Sequence, residues 1–125
     1  MTDFAARAEG IIEAYNAKDF DRLRAAVAPD LKMAHFNRGA SFENADDLIA
    51  LMKAFGDDLM PDRRFEPAEG VHVVGNVVVR EGYWGGTAQQ DLPGFAAKDE
   101  ALRLRLCSVM KFDDAGILVD WKDHG

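Results

Sequence analysis

The pattern of apolar and polar residues is most regular near the end of the chain, where it predicts two antiparallel strands. Residues 101–112 alternate between an apolar face and a largely basic face, the period of two that a half-buried strand shows. The apolar phase contains Leu102, Leu104, Leu106, Ser108, Met110 and Phe112. After a polar turn that ends in Gly116, the next strand places Ile117, Val119, Trp121 and Asp123 on one face. Asp123 therefore continues an apolar series, either in water at the rim of the sheet or in a pocket that controls its protonation.

Helical spacing predicts three helices earlier in the chain. The first has Phe4, Ala8, Ile11, Ile12 and Tyr15 on one face, with Thr2 or Asp3 as its cap. Asp19 can cap a second helix over residues 19–28, which has Val27 on its apolar face and is ended by Pro29. Asn44 can cap a third helix, whose apolar face contains Leu48, Leu51, Met52, Phe55 and Leu59.

The remaining strands are predicted from alternation and from β-branched residues. Leu31, Met33 and His35 share one phase of a strand that precedes the third helix. After that helix come a strand that begins near residue 64, interrupted by a proline and a glycine, and the β-branched and aromatic run at residues 77–88. The segment between this run and the final pair of strands is expected to be a loop. Three helices followed by about four long strands indicate an α+β fold.

Composition and charge limit the partners that the protein can have. The chain has 125 residues, of which 48% are hydrophobic, and this suffices for one domain over residues 1–125. A net charge of −7 and a pI near 4.8 argue against nucleic acid or an anionic membrane as a partner, because the field of the protein would repel both. A small hydrophobic molecule is compatible with this charge.

The sequence also lacks the signals of export, metal binding and phosphate binding. Cys107 is the single cysteine, so no internal disulfide can form. The N-terminal residues lack the basic region and the apolar run that a signal peptide has. The three histidines do not have metal-ligand spacing, and no lysine with serine or threonine follows Gly82, Gly85 and Gly86. We therefore predict a cytoplasmic protein that uses neither a metal nor another cofactor.

The facing of the strands predicts a polar cluster inside an apolar pocket. If Glu81 lies outward against the basic face, Arg80 points inward, where Asp123 is its expected partner. His35 and Tyr15 complete the cluster, and an apolar cavity with a few convergent polar groups is the usual form of a small-molecule site. The expected lining residues are Met33, Met52, Phe55, Trp84, Leu106, Ser108, Met110 and Trp121.

Each polar residue of this cluster has a purely structural alternative. These are a solvated carboxylate at Asp123, a hydrogen-bonded core side chain at Tyr15 and at His35, and an outward Arg80 if a glycine shifts the strand register. The outer face carries Cys107 and Val109 between charged residues, and this apolar β surface predicts a homodimer.

Four segments of the chain resemble one protein family. They are EAYNAKDFDRLRAAVAPD, FENADDLIALMKAF, VVVREGYWGGTAQQDLPGFAAKDE and KFDDAGILVDWKD. Their order resembles the nuclear transport factor 2-like (cystatin-like cone) superfamily and, within it, the SnoaL-like polyketide cyclases with their limonene epoxide hydrolase relatives. The resemblance implies a cone-shaped fold in which three N-terminal helices pack on a strongly curved, mostly antiparallel sheet that encloses a cavity, with frequent dimerisation through the sheet.

The resemblance also implies roles for individual residues. In the sequence Trp121-Lys122-Asp123, which is similar to that of the hydrolases, Asp123 matches the acid/base aspartate near the end of the last strand. The hydrolases also have an arginine followed two residues later by a second aspartate, and here Arg80 is followed at that position by Gly82.

Two functions of different class remain open. The first is a cofactor-free cyclase or isomerase, in which Asp123 moves a proton on a hydrophobic carbonyl substrate while Tyr15 or His35 hydrogen-bonds the developing oxyanion. The second is a module of the same fold that binds a small ligand without turnover. An epoxide hydrolase-like activity is a further alternative, which the missing second aspartate disfavours.

Overall fold

Three helices and seven strands follow one another over residues 2–125, the part of the chain that this computed structural model describes. The helices are α1 (Phe4–Asn16), α2 (Phe20–Ala26) and α3 (Ala45–Ala54), and a single π-helical turn at Phe55–Leu59 continues α3. The strands are β1 (Val27–His35), β2 (Ala40–Phe42), β3 (Arg64–Phe65), β4 (Gly70–Val74), β5 (Val77–Thr87), β6 (Ala101–Phe112) and β7 (Leu118–His124). A short 3-10 turn, Phe36–Arg38, joins β1 to β2.

Each helix begins at a capping residue that the sequence predicts. Asp3 accepts a hydrogen bond from the backbone N–H of Ala6, Asp19 one from that of Arg22, and Asn44 one from that of Asp47. The second helix is shorter than expected, because Val27 starts β1 and does not continue α2. Pro29 therefore lies inside a strand, and the prediction of a helix over residues 19–28 was wrong at its C-terminal end.

The strands form one open, mixed sheet in the order β2-β1-β7-β6-β5-β3, with β4 also paired to β5. All pairings are antiparallel except that of β1 with β7, which is parallel. The α+β class and the mostly antiparallel sheet are thus confirmed. The strand predicted at Leu31, Met33 and His35 is β1, which comes before α3 and lies inside the sheet.

The inner face of the sheet carries the predicted apolar phase of β6. Leu106, Ser108, Met110 and Phe112 are buried, whereas the alternating arginines and Lys111 are exposed. The register of β7 differs from the prediction, because a bulge in its pairing shifts the strand between the partners of Lys111 and Phe112. As a result Leu118 is buried and Val119, expected on the inner face, is only half-buried.

The outer face of the sheet carries two exposed ion pairs. Arg103 contacts Glu66 at 2.8 Å and Arg105 contacts Glu69 at 2.6 Å, all four side chains being substantially exposed. Exposed pairs of this kind add little stability. The homodimer through this face stays a prediction. Among residues 2–125, no helix is both long enough and apolar enough to cross a membrane.

Candidate functional site

A pocket of about 170 Å³ lies between the helices and the inner face of the sheet. Its wall is almost entirely apolar, and its polar side chains are contributed by Tyr15 of α1, His35 of β1, Asp123 of β7 and Arg38 of the 3-10 turn. The apolar and indole side chains that line it are Met33, Phe42, Leu48, Leu51, Met52, Phe55, Phe65, Trp84, Phe95, Leu104, Leu106 and Trp121.

The predicted polar residues lie in one row across the inner face of the sheet. In the strand register His35 is opposite Asp123, Asp123 is opposite Ser108, and Ser108 is opposite Arg80. Residues in register across neighbouring strands point to the same face, so β1, β7, β6 and β5 each contribute one polar side chain to this row. Three apolar residues, Met33, Trp121 and Met110, form the adjoining row on the same face.

Asp123 is a carboxyl group with little access to water. Its exposed fraction is 3%, and its Oδ1 accepts a hydrogen bond of 2.7 Å from the indole Nε1 of Trp121, two residues earlier on the same face. Burial raises the pKa of Asp123, while hydrogen bonds from Ser108 and Trp121 lower it in part. The carboxyl group is therefore inside the protein, and the alternative of a solvated rim residue was wrong.

His35 is the other titratable group beside Asp123. Burial lowers the pKa of His35, the neighbouring Asp123 raises it, and Arg38 lowers it further. Its Nδ1 atom is buried and has no hydrogen-bond partner among residues 2–125. An unpaired buried nitrogen is costly, so this atom is available to a polar group of a bound molecule.

Tyr15 faces the same pocket from the opposite wall. The indole Nε1 of Trp84 donates a hydrogen bond of 2.9 Å to its hydroxyl oxygen. The hydrogen bonds described for residues 2–125 use this oxygen only as an acceptor, which leaves the phenolic hydrogen free to be donated. Burial raises the pKa of Tyr15, so the phenol stays protonated at neutral pH.

The position of Tyr15 is fixed by the residue that follows it. The Asn16 side chain accepts a hydrogen bond of 2.8 Å from the backbone N–H of Phe65 and donates one of 2.9 Å to its carbonyl. The Asn16 amide thus pairs with both the N–H and the carbonyl of Phe65 and attaches the end of α1 to β3. The Phe65 ring meets the Tyr15 ring edge-on at a centroid distance of 5.1 Å.

Arg80 points inward as predicted, but its partner is not Asp123. Its Nε contacts Glu9 Oε1 of α1 at 2.8 Å, and its Nη2 donates to the backbone carbonyl of Glu66 at 2.8 Å. Ser108 separates the two residues in the row, so they stand two strand spacings apart, roughly 10 Å. Arg80 does not line the pocket, and its assignment to the polar cluster was wrong.

The predicted apolar wall matches the pocket in most positions. Six of the eight expected side chains line it, and Ser108 and Met110 do not. Leu48, Leu51 and Leu104, which also line it, lie on apolar faces that the sequence pattern had already defined. The pattern gave no signal for Phe95 or Arg38, because both lie in connecting segments.

Phe95 reaches the pocket from the loop between β5 and β6. Its ring forms an aromatic group with Phe55 and Trp84, with centroid distances of 5.9 and 6.1 Å. The Arg38 guanidinium lies 5.1 Å from the centre of the Phe95 ring. The loop is therefore held over the pocket by aromatic contacts. A group of three or more histidine, cysteine, aspartate or glutamate side chains that could hold a metal ion is absent from residues 2–125.

Comparisons with known proteins agree with this architecture. A family model described as a SnoaL-like domain matches residues 8–121. No curated protein matches the sequence of this chain.

Solved structures with the same fold have low sequence identity to the chain. A proposed polyketide cyclase from Xanthomonas campestris pv. campestris superposes with a TM-score of 0.81 and 17% identity, over 98% of this chain and 89% of that one. An NTF2-like protein of unknown function from Burkholderia pseudomallei K96243 gives 0.78 and 21%, over 99% and 91%. An LEH-like epoxide hydrolase from M. tuberculosis gives 0.75 and 19%, over 97% and 80%. At these identities the likeness establishes the fold, and the NTF2-like fold expected from the sequence is confirmed.

Proposed function

Because the chain belongs to the SnoaL-like domain family, we propose that it is an acid/base enzyme of the cyclase or isomerase type that needs no cofactor. Its substrate is a compact hydrophobic carbonyl compound. The family carries several activities on one fold, so the assignment rests on the chemistry of the pocket. The observation that supports it most is a carboxyl group, Asp123, that is 3% exposed in a pocket with a free phenolic hydrogen.

In the proposed reaction Asp123 acts as the base. Its carboxylate removes a proton from the carbon next to the substrate carbonyl, and the electron pair of the C–H bond moves to the carbonyl oxygen as an enolate. Tyr15 donates its phenolic hydrogen bond to that oxygen, and the imidazole of His35 is a second candidate donor. In an isomerisation the protonated Asp123 then returns the proton to a different carbon. In a cyclisation the enolate carbon bonds to a second carbonyl carbon of the substrate, and the proton goes to the alkoxide oxygen that results. Either course restores the carboxylate.

The raised pKa of Asp123 suits this role. A carboxylate that is poorly solvated is a stronger base than one in water, and it becomes a usable acid nearer neutral pH. The pocket volume of about 170 Å³ lies below the range of roughly 300–1,000 Å³ typical of drug-sized ligands. We therefore propose a substrate of a single ring or of similar size.

A ligand-binding module without turnover is the second candidate. It is favoured by the nearly continuous apolar wall and by the absence of a second carboxylate from the pocket lining. Epoxide hydrolysis is less well supported, since Gly82 stands where a second aspartate is expected and Arg80 is engaged by Glu9.

Hydrogen exchange at carbon tests the proposal before a natural substrate is known. Small cyclic ketones, ketosteroids and polyketide-like esters are incubated with the protein in deuterated water, and incorporation of deuterium next to the carbonyl is followed by mass spectrometry. We expect exchange with the parent and its loss with Asp123→Asn. Asp120→Asn is the matched control, because Asp120 lies on the same strand and pairs with Lys122 outside the pocket.

Two outcomes would change the conclusion. Equal exchange by the parent and Asp123→Asn would remove Asp123 as the base. If no compound exchanges, yet apolar compounds raise the melting temperature, the binding module is the better description.

A further inference from the structure

Arg63 is a buried cation that lies directly against Tyr15. Its exposed fraction is 2%, and its guanidinium carbon stands 3.8 Å from the centre of the Tyr15 ring. The Nη1 atom also donates a hydrogen bond of 2.6 Å to the backbone carbonyl of Tyr15. The same guanidinium therefore contacts both the ring and the main chain of one residue of the site.

This cation has no carboxylate partner within ion-pair distance in residues 2–125, unlike the other buried arginine, Arg80. Its Nε and Nη2 atoms are buried and have no hydrogen-bond partner in that part of the chain. Burying a charge with unused donors is costly, and proteins retain such groups chiefly where function requires them.

Two glycines make room for this side chain. A Cβ at Gly56 would lie 3.3 Å from Arg63 Nη2, and a Cβ at Gly86 would lie 2.9 Å from the Arg63 Cα. Gly56 belongs to the π-helical turn after α3, and Gly86 belongs to β5. The π-helical turn thus packs against the guanidinium, and β5 packs against the main chain of Arg63.

We propose that Arg63 is a positioning residue that acts through Tyr15. Its guanidinium fixes the ring and stabilises the negative charge that grows on the phenolic oxygen when Tyr15 donates its hydrogen bond to a substrate oxyanion. The role of Tyr15 as that donor rests on the function proposed above, whereas the coupling between Arg63 and the phenol is a property of the unliganded protein. Arg63 itself is separated from the pocket by Tyr15 and does not line it.

The other groups around the phenol act in known directions. Burial and the charge of Asp123 raise the pKa of Tyr15, while Arg63 and the hydrogen bond from Trp84 lower it. Burial lowers the pKa of Arg63, while Tyr15 and then Asp57, from the π-helical turn, raise it. Loss of the guanidinium thus removes the cation that lowers the pKa of Tyr15. Burial and the charge of Asp123, which raise that pKa, remain.

The test is a titration of Tyr15, which requires no substrate. The chain has two tyrosines, so Tyr83→Phe leaves Tyr15 as the only one. In this background fluorotyrosine, whose phenol is more acidic than that of tyrosine, replaces Tyr15. Its fluorine NMR shift is measured against pH, and the midpoint of the titration gives the ionisation of the phenol. We expect Arg63→Met to raise the midpoint by about one pH unit, and Arg63→Lys, which keeps the charge, to restore part of the difference.

Arg80→Met is the matched control, because it removes a buried arginine that lies over Phe65, not over Tyr15. It should leave the midpoint unchanged. If Arg63→Met does not fold, Arg63→Gln, which keeps N–H donors without the charge, should raise the midpoint in its place. An unchanged midpoint in the folded uncharged variant would overturn the proposal, even if the exchange experiment supports the enzyme. A shifted midpoint without any exchange would leave the coupling intact and count against the proposed function alone.

Discussion

The two ends of the polar row hold buried polar groups in opposite ways. At the end formed by β5, Arg80 is paired with the Glu9 carboxylate and the Glu66 carbonyl, both at 2.8 Å. At the end formed by β7 and β1, Asp123 receives neutral donors, and His35 has a buried nitrogen without a partner in residues 2–125. Arg80 and Asp123 are equally buried, each with an exposed fraction of 3%, but only Arg80 has its charge paired by an ionised partner.

We interpret the paired end of the row as structural and the other end as the candidate functional one. A buried charge that is fully paired stabilises the contact between the elements that supply it, here α1 and β5. A buried group with a shifted pKa and unused hydrogen-bonding capacity is poised to interact with a ligand. The sequence can predict whether a side chain points inward. That direction alone does not distinguish a fully paired buried charge from a buried group with unused hydrogen-bonding capacity.

The largest expected effect is on turnover. Asp123→Asn keeps the side-chain shape and removes the base, so turnover of an accepted substrate should fall by about a hundredfold or more. Arg80→Met should change turnover by no more than a few-fold, because Arg80 is not in the pocket wall. Steady-state kinetics on both variants test the contrast, and a similar fall in the two would abolish it.

The second-largest effect is on stability, where Arg80→Met should be more harmful than Asp123→Asn. Arg80→Met leaves the Glu9 carboxylate and the Glu66 carbonyl without their partner, so we expect a loss of about 2–3 kcal/mol in the free energy of unfolding. This lies below the loss for a fully buried pair because the Glu9 side chain is 40% exposed. Urea unfolding measures it, and Glu9→Gln is the companion variant. A loss under about 0.5 kcal/mol would show that the pair is not structural.

A smaller effect on both quantities is expected at Tyr15. Tyr15→Phe leaves the buried Trp84 N–H without its acceptor, which should cost about 1–2 kcal/mol of stability. Turnover should fall about tenfold or more through loss of the oxyanion donor. Tyr83→Phe, on the outer face, is the control for both measurements. Full turnover in Tyr15→Phe would assign that role to His35.

The smallest effect concerns the pH dependence of stability. Since the pKa of Asp123 is raised by folding, the folded state binds more protons than the unfolded state from about pH 4 upward, and its stability falls as the pH rises through that window. For His35, whose pKa is lowered, the unfolded state binds more protons, and stability falls as the pH drops below about 6.5.

Asp123→Asn removes the first of these two contributions. Compared with the parent, it should become progressively more stable as the pH rises from about 4 to 7. Urea unfolding at several pH values measures the difference, with Asp120→Asn as the control. A parallel pH dependence in Asp123→Asn and the parent would mean that the Asp123 carboxyl group is not destabilised by burial.

Much of the site was predictable because strand alternation is a local property. The period of two in β6 and β1 correctly placed Ser108, Met33 and His35 on the inner face, and helical spacing placed Tyr15 in the core. The same reasoning failed at Val119, since a bulge depends on the pairing of two strands and leaves no signal in the sequence of one.

Partners across the core were harder to predict than facing. Arg80 was assigned to Asp123 because both point inward, but its carboxylate partner is Glu9, 71 residues earlier in the chain. Glu9 gave no signal, since an acidic residue on an amphipathic helix usually faces water. Phe95 was missed for a related reason, because loop residues follow no period.

The parallel pairing of β1 with β7 makes assembly of the site depend on segments that are far apart in the chain. His35 and Asp123 are neighbours in space although β1 is the first and β7 the last strand of residues 2–125. During synthesis one edge of β1 stays unpaired until β7 has emerged, and such long-range pairing slows folding. The row that contains His35 and Asp123 therefore cannot form before β7 is made.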